Sequence, residues 1–204
     1  MLARRALLAA ALTARAWPPR PASGAEWSVK LPEDRTLYAR DRAPCLNTRL
    51  EGINLGPKHD TSLADFLSAG KYVVLWFYPE NDAANNELEA LNFQRALAEF
   101  SDLDTVLLGC SAQTVARIKS TLVNKQQLTI PFVSDPRLEL IRAYGANNAV
   151  GETFRQSFIL DPAGEVRWIE RNIQFGVGNF DLQNHASRVL RECYRVRNGD
   201  GWAV

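Results

Sequence analysis

The sequence predicts an α/β fold in which a central mixed β-sheet carries helices on both of its faces. Two observations lead to this prediction. Apolar runs typical of strands buried on both faces alternate with segments of helical periodicity along most of the chain. Near the C-terminus, two further strand patterns are separated only by a short turn, which predicts an antiparallel hairpin. Such alternation is typical of layered α/β domains.

Each predicted element has its own local signal. A capping box marks the first helix, because Ser62 precedes it and Asp65 follows three residues later. Gly145 ends one short helix, and Pro-Ala-Gly forms the hairpin turn. The segment Trp27–Lys58 is expected to be irregular, since Pro, Asp and Asn interrupt it. In chain order we expect a helix at Thr61–Leu67, a strand at Tyr72–Tyr78, a helix at Glu87–Phe100, a strand at Thr105–Ser111, a helix at Gln113–Lys125, a strand at Ile130–Pro136, a helix at Leu138–Tyr144, hairpin strands at Ser157–Asp161 and Glu165–Glu170, and a helix at Leu182–Tyr194.

This order of elements is the thioredoxin-like pattern, with an additional strand and helix inserted before the closing hairpin. Neither of the long buried strands is followed by a glycine-rich phosphate loop. A nucleotide-binding fold is therefore not expected.

The 204 residues suffice for one globular domain and a tail, and 46% hydrophobic with 23% charged residues is typical of a soluble domain. No apolar run is long enough to span a bilayer. We predict a cleavable targeting peptide at residues 1–25 and an irregular segment at 26–42. A thioredoxin-like domain is expected at 43–196, followed by a C-terminal tail at 197–204.

The first 25 residues differ in composition from the rest of the chain. They hold four arginines and no acidic residue, and an apolar stretch, Ala6–Leu12, follows Arg4 and Arg5. This pattern is typical of a transit peptide, and also of an export signal with paired arginines; the alternative is a disordered or helical tail. We expect delivery to an organelle, with the plastid and its thylakoid lumen favoured over the mitochondrion. Without these arginines the 24 basic residues fall to 20, against 23 acidic residues, so nucleic-acid binding has no electrostatic support.

Three cysteines and two histidines are the residues most able to carry redox or metal chemistry. Cys45, Cys110 and Cys193 lie far apart in the sequence and form no CxxC pair, which indicates neither a disulfide framework nor a zinc site. His59 and His185 have no neighbouring metal ligands and are expected at the surface. We expect no metal and no other cofactor.

Seven short motifs occur in order from about Ala43 to Cys193: "APCLN", "SLADF", "GKYVVLWFYP", "LLGCSAQT", "IPFVSDP", "AYGA" and "FRQSFILDPAGEV". As an ordered set they resemble the peroxiredoxins, specifically the Q or bacterioferritin-comigratory type. The resemblance implies a thioredoxin-like (peroxiredoxin) fold. In an active member it also implies thiol-dependent reduction of peroxides, with thioredoxin as the partner.

The same resemblance locates the family's reactive site in the chain. Counting from Pro79, the family's threonine falls on Ala83 and its peroxidatic cysteine on Asn86. The usual resolving cysteine falls on Leu91. The arginine that serves the site matches Arg155 in "FRQSF". Three of the four chemical positions therefore lack the functional group that the family places there.

These losses matter because peroxide reduction needs a thiolate that attacks oxygen, stabilised by a helix N-terminus and a guanidinium. A carboxamide at Asn86 is not a nucleophile and cannot be oxidised to a sulfenic acid or a disulfide. Ala83 has no hydroxyl to orient a peroxide. The segment Asn86–Glu89 resembles a capping box, so we expect Asn86 to act as the N-cap of the following helix and to stabilise it by about 1 kcal/mol.

Three functional interpretations follow. The first is a catalytically degenerate peroxiredoxin-like protein, a structural or interaction subunit of a thylakoid or respiratory complex. The alternative is a thiol-dependent antioxidant that uses a displaced cysteine, Cys110 or Cys45, with an external thiol. A third interpretation is a binding module in which Arg155 holds a small anion at the start of the helix.

Tryptophans are candidates for a partner surface. Trp27, Trp168 and Trp202 favour such a role if they are exposed. Burial of at least Trp76 and Trp168 in the core is the alternative.

Overall fold

The computed structural model describes residues 36–56, 61–171, 173 and 180–199. Within these ranges the chain forms a six-stranded sheet with helices on both faces. The strands are β1 (Glu51–Ile53), β2 (Tyr72–Phe77), β3 (Thr105–Ser111), β4 (Phe132–Ser134), β5 (Gln156–Leu160) and β6 (Val166–Glu170). The helices are α1 (Leu63–Ser68), α2 (Ala83–Arg95), α3 (Leu97–Asp102), α4 (Val115–Ile118), α5 (Asn124–Gln126), α6 (Glu139–Ala143), α7 (Phe180–Gln183) and α8 (His185–Arg197).

The sheet is mixed, as the sequence predicts. Its strand order is β1-β4-β3-β2-β5-β6. The strands β2, β3 and β4 run parallel, while β1, β5 and β6 pair antiparallel with their neighbours. The two long parallel strands lie at the centre, where both faces are covered, which explains their continuous apolar sequences. The chain leaves the carboxyl end of β2 and enters α2.

Alternate side chains of the sheet belong to two separate cores, because successive strand residues point to opposite faces. One core packs beneath α1 and α6 and includes Val73, Leu75, Phe77, Leu108, Cys110 and Phe158. The other packs beneath α2, α3 and α8 and includes Val74, Trp76, Phe93, Leu107, Ile159 and Val189. The sheet therefore separates any side chain in the first core from the helix α2.

Several local predictions are confirmed. The Ser62 Oγ accepts the Asp65 amide at 3.3 Å, and the Asp65 carboxylate accepts the Ser62 amide at 2.9 Å, so the capping box is present. The strand β3 has the predicted bounds. The Pro-Ala-Gly turn joins β5 and β6 as an antiparallel hairpin.

Three other predictions were wrong in detail. The segment expected to be irregular contains β1, whose Gly52 lies so near β4 that an added Cβ would be 1.9 Å from the Phe132 carbonyl oxygen. The helix expected from Glu87 begins at Ala83 and is interrupted at Ala96. A π-helical turn over Lys119–Val123 divides the helix predicted after β3.

The π-helical turn has a local cause. The Ser120 and Thr121 hydroxyls both donate to the Arg117 carbonyl oxygen, at 3.0 and 2.8 Å. Side-chain donors of this kind compete with the regular i→i−4 backbone bond and favour an irregular turn.

The tryptophans divide between core and rim. Trp76 is fully buried, and Trp168 is partly buried against the second core, so neither is a prominent exposed anchor. Trp27, Trp202 and His59 lie outside the described residues, as does the proposed targeting peptide.

Among the described helices, none combines the length and apolarity needed to cross a membrane.

The packing around Gly109 in β3 generates a stability prediction. A Cβ at this position would lie 2.6 Å from Trp76 and 2.9 Å from Phe132. Gly109→Ala should therefore lower the free energy of unfolding by about 1–3 kcal/mol through overpacking, measured by urea denaturation. In a Trp76→Phe background, which removes part of the obstructing ring, the same substitution should cost less. Equal costs in both backgrounds would contradict this packing explanation.

Candidate functional site

The candidate site lies in the first turns of α2, at the carboxyl end of β2. Asn86 is buried there, with 3% of its surface exposed. Its backbone amide donates to the Asp82 carbonyl at 2.9 Å, and its Nδ2 donates to the Pro79 carbonyl at 2.7 Å. The side chain therefore ties the start of the helix to the end of the preceding strand.

The prediction that Asn86 caps the helix was wrong. The helix begins at Ala83, so its N-cap is Asp82 and Asn86 already lies within the helix. The Asp82 side chain makes no capping bond; it accepts instead from Asn85 Nδ2 at 2.7 Å and from Arg155. The carboxamide of Asn86 is thus used for tertiary contacts, and no stabilisation by capping can be assigned to it.

Arg155 is brought to this turn by its position just before β5. It is 4% exposed, and its Nη2 donates to Asn86 Oδ1 at 2.5 Å and to Asp82 Oδ2 at 2.9 Å. Its Nη1 donates to Glu89, which is 1% exposed. One guanidinium thus binds the N-cap residue of α2 and two side chains within that helix in a fixed planar geometry.

Glu89 connects this cluster to the C-terminal helix. It lies three residues after Asn86, so both side chains are on one face of α2. Its second oxygen is 2.7 Å from the His185 Nδ1, and the His185 Nε2 is 2.9 Å from the Ser157 Oγ. Glu170 of β6 approaches the same Nε2 at 3.7 Å.

The expectation that His185 lies at the surface was wrong. Its side chain is fully buried and packs edge-on against Phe93, with ring centroids 5.2 Å apart. The helical spacing of His185 with Val189 and Cys193 places all three on the buried face of α8, and this signal was available in the sequence. A buried imidazole requires polar partners, and Glu89 and Ser157 supply them.

The order Ser157–His185–Glu89 repeats the connectivity of a hydrolase triad, with Nε2 toward the hydroxyl and Nδ1 toward the carboxylate. However, none of these three side chains exposes more than 1% of its surface. Ser157 lies in β5 opposite Trp76, with a strand on each side. A substrate carbonyl cannot reach this hydroxyl, so the arrangement is structural.

The anion-binding interpretation loses its support at the same place. Arg155 already binds the carboxylates of Asp82 and Glu89 and the carboxamide oxygen of Asn86. An added anion would meet two negative charges for one guanidinium, which is electrostatically unfavourable.

All three cysteines lie away from Arg155. Cys110 packs in the core beneath α1 and α6, and Cys45 packs against the same core, so the sheet separates both from α2. Cys193 lies in the second core near Thr105, the first residue of β3, whereas the candidate site is at the opposite end of the parallel strands. No disulfide joins these cysteines.

Burial keeps the three thiols in their protonated form. It raises the pKa of Cys45, raises the pKa of Cys110 well above its usual range, and raises the pKa of Cys193 to about 12. Because the thiolate is the nucleophile, none of these cysteines has the environment of a peroxidatic residue.

The other two residues that the family resemblance assigns to the site are on the outer side of α2. Ala83 is exposed, and Leu91 is partly exposed. Together with Ala84, Leu88 and Lys125 they line a shallow groove beside the helix. The structure thus brings Asn86 and Arg155 together but leaves Ala83 and Leu91 outside the buried network.

The buried network generates a stability prediction. His185→Leu keeps an apolar side chain of similar size but leaves a Glu89 oxygen and the Ser157 hydroxyl without their partner. We expect a loss of about 2–4 kcal/mol in the free energy of unfolding, measured by urea denaturation. Ser187→Leu, at an exposed position of the same helix, serves as the control and should change stability by less than about 0.5 kcal/mol. Equal effects would show that the network is not structurally important.

The thiol environments generate a second prediction. In the native protein, iodoacetamide should label all three cysteines at least about tenfold more slowly at pH 7 than in urea. Because the pKa values are raised, the labelling rates should still increase above about pH 10, where an ordinary thiol has nearly reached its maximum. Peptide mass spectrometry assigns the sites. Rapid labelling of any one cysteine at pH 7 would identify an activated thiol and contradict this account.

Comparison with known proteins identifies the family. The AhpC/TSA family model matches residues 40–169, more than half of the chain. Among curated proteins, peroxiredoxin prdx-2 of Caenorhabditis elegans is 32% identical over 136 residues, covering 63% of this chain and 67% of that protein. Peroxiredoxin 1 of Brugia malayi is 26% identical over 148 residues, covering 69% and 63%. The chain thus spans about two thirds of these relatives or less.

Solved structures agree with this match. The bacterioferritin comigratory protein of Xanthomonas campestris, studied for its alkyl peroxide reduction activity, is 25% identical with a TM-score of 0.66, covering 78% of this chain and 99% of that one. A PrxQ mutant of Xylella fastidiosa, 23% identical, has the same fold with a TM-score of 0.67, covering 79% and 98%. The chain therefore belongs to the AhpC/TSA family and is a peroxiredoxin-family protein of the Q, or bacterioferritin-comigratory, type.

Proposed function

We propose that this chain is a catalytically inactive member of the peroxiredoxin family that acts as a structural or interaction subunit of a larger assembly. One observation carries the proposal. By the family resemblance, Asn86 takes the place of the peroxidatic cysteine, and in the structure its carboxamide is bound by Arg155 and the Pro79 carbonyl. The site thus has the guanidinium and the helix start but holds an amide that cannot attack a peroxide.

The contacts of Asn86 support a stable replacement. The side chain is buried and uses both its amide nitrogen and its oxygen in hydrogen bonds. The neighbouring Glu89 balances the charge of Arg155 without a thiolate. Such a site is well suited to maintaining a shape, since the loss of activity removes the need for a strained or mobile helix start.

The alternative function is a thiol-dependent peroxidase that uses Cys110 or Cys45 and a thioredoxin-type reductant. Two features disfavour it. Both cysteines lie on the face of the sheet opposite Arg155, and both have raised pKa values. Cys45 is the more accessible of the two and is therefore the one to test first.

The cellular setting stays a prediction. The arginine-rich, acid-free composition of residues 1–25 favours an organelle, with the plastid and its thylakoid lumen ahead of the mitochondrion. In that setting the assembly would be a thylakoid or respiratory complex.

A peroxidase assay tests the proposed function. The purified chain from Glu26 onward, incubated with hydrogen peroxide or an alkyl hydroperoxide and with dithiothreitol or a thioredoxin system, should consume no peroxide above background. Cys45→Ser and Cys110→Ser variants are assayed beside it. Turnover by the parent chain that is lost in one variant would locate the chemistry at that cysteine and overturn the proposal.

Restoring the missing atoms is the complementary test. Asn86→Cys combined with Ala83→Thr returns a thiol, the family's nucleophile, to the first turns of α2 beside Arg155. We expect the double variant to consume peroxide at least about tenfold faster than the parent. Asn86→Ser with Ala83→Thr is the matched control without the reactive sulfur and should remain inactive. An unreactive thiol in the cysteine variant would show that more than the reactive atoms has been lost.

A further inference from the structure

The outward face of α8 concentrates positive charge. The helix His185–Arg197 contains four arginines and one glutamate. At 100° per residue, Arg191 and Tyr194 fall on the side opposite the buried His185 and Val189, and Arg195 lies beside Arg191 at the edge of that side. The side chains of Arg191 and Arg195 are 61% and 55% exposed, and Tyr194 is 45% exposed. We call these three residues the α8 basic face.

The carboxylates near this face do not neutralise it. Arg191 and Arg195 both contact Glu192, at 3.5 and 3.1 Å, so two guanidinium groups share one carboxylate. Glu192 is itself only 6% exposed, whereas its two partners extend into solvent. A molecule approaching α8 therefore meets the arginines before it meets the acid.

The same imbalance is repeated at the C-terminal end of the helix. Arg197 and Lys71 both bind Asp104, at 2.7 and 2.8 Å. These two cations lower the pKa of the Asp104 carboxyl. Among the described side chains, four exposed cations on and beside α8 thus share two carboxylates.

We propose that the α8 basic face is a docking surface for an acidic segment of a protein partner. This inference rests on the proposed function, because it gives the interaction subunit a surface and a kind of partner. Charge complementarity supports this proposal, because exposed guanidinium groups bind carboxylates bidentately. Since Arg191 and Arg195 share one carboxylate, some of their N–H donors are available for a partner. Arginine and tyrosine are also the residues enriched in protein–protein hot spots.

A membrane surface fits these observations less well. Basic amphipathic helices bind bilayers by inserting their apolar face. In α8 that face is already used, since Ala186, Val189, Cys193 and Val196 pack in the second core. A nucleic acid also fits less well, because the few cations of this face could neutralise only a few phosphates, and such contacts supply most of the affinity for nucleic acid.

Fluorescence anisotropy with a labelled decaglutamate peptide tests the proposal on the full chain. The test variant is Arg191→Gln with Arg195→Gln, and Tyr194→Ser removes the aromatic ring without a change in charge. The matched control is Arg117→Gln with Lys119→Gln, which removes the same two charges from exposed positions around α4. Circular dichroism melts show whether each variant is folded.

We expect the double α8 variant to bind the peptide at least about tenfold more weakly than the parent, and Tyr194→Ser about threefold more weakly. The control should bind within about twofold of the parent, and added salt should weaken binding to the parent. Equal losses in the α8 and control variants would overturn the proposal, because binding would then depend only on net charge. Binding to phosphatidylserine vesicles or oligothymidylate but not to the peptide would overturn it in favour of those ligand classes.

The outcome is independent of the peroxidase assay. If the chain consumes peroxide but binds the peptide through α8, the proposed function is overturned and the docking surface stands. If the chain is inactive and binds no peptide, the proposed function stands and the docking surface is overturned.

Discussion

The carboxylate of Glu89 is the constraint on which the site and its surroundings depend. One of its oxygens accepts from Arg155 and the other pairs with His185, so a single buried group joins α2, the start of β5 and α8. A buried ion pair does not by itself guarantee stability, since desolvation offsets much of its attraction. Separating the pair, however, would leave an unpaired charge in the interior, which is strongly unfavourable. The three elements are therefore held in one relative position.

Charge balance explains why an amide is compatible with this arrangement. A thiolate at the position of Asn86 would bring a third negative charge next to Asp82 and Glu89, with Arg155 as the nearby cation. The neutral carboxamide accepts one hydrogen bond from the guanidinium and donates another to the Pro79 carbonyl. All its polar atoms are satisfied without a change in protonation. The Asn86 side chain consequently needs no bound molecule to satisfy its hydrogen-bonding groups.

Much of the fold could be predicted from local signals, but the buried network of Asn86, Glu89, Arg155 and His185 could not. The buried strands β2 and β3 and the Ser62 capping box depend on continuous apolar runs and on residues three apart, which a sequence displays directly. Arg155 and Asn86 could be paired only through the family resemblance. The His185–Glu89 contact joins residues 96 positions apart, and no local pattern records such a contact. The early start of α2 likewise depends on how the chain leaves β2.

Because the start of α2 carries no reactive thiol, changes between reducing and oxidising conditions should leave the surface around this helix unchanged. An enzyme whose helix must unwind to form a disulfide presents different surfaces in reducing and oxidising conditions. Here the hydrogen bond between Asn86 and Arg155 holds the helix start. The three cysteines form no disulfide, Cys110 and Cys193 are buried, and Cys45 is partly buried. Their raised pKa values keep the thiols protonated. Neither oxidant nor reductant has a group on which to act at this turn. The outline of α2 and α8 should therefore be the same at either redox potential, as the proposed docking surface requires.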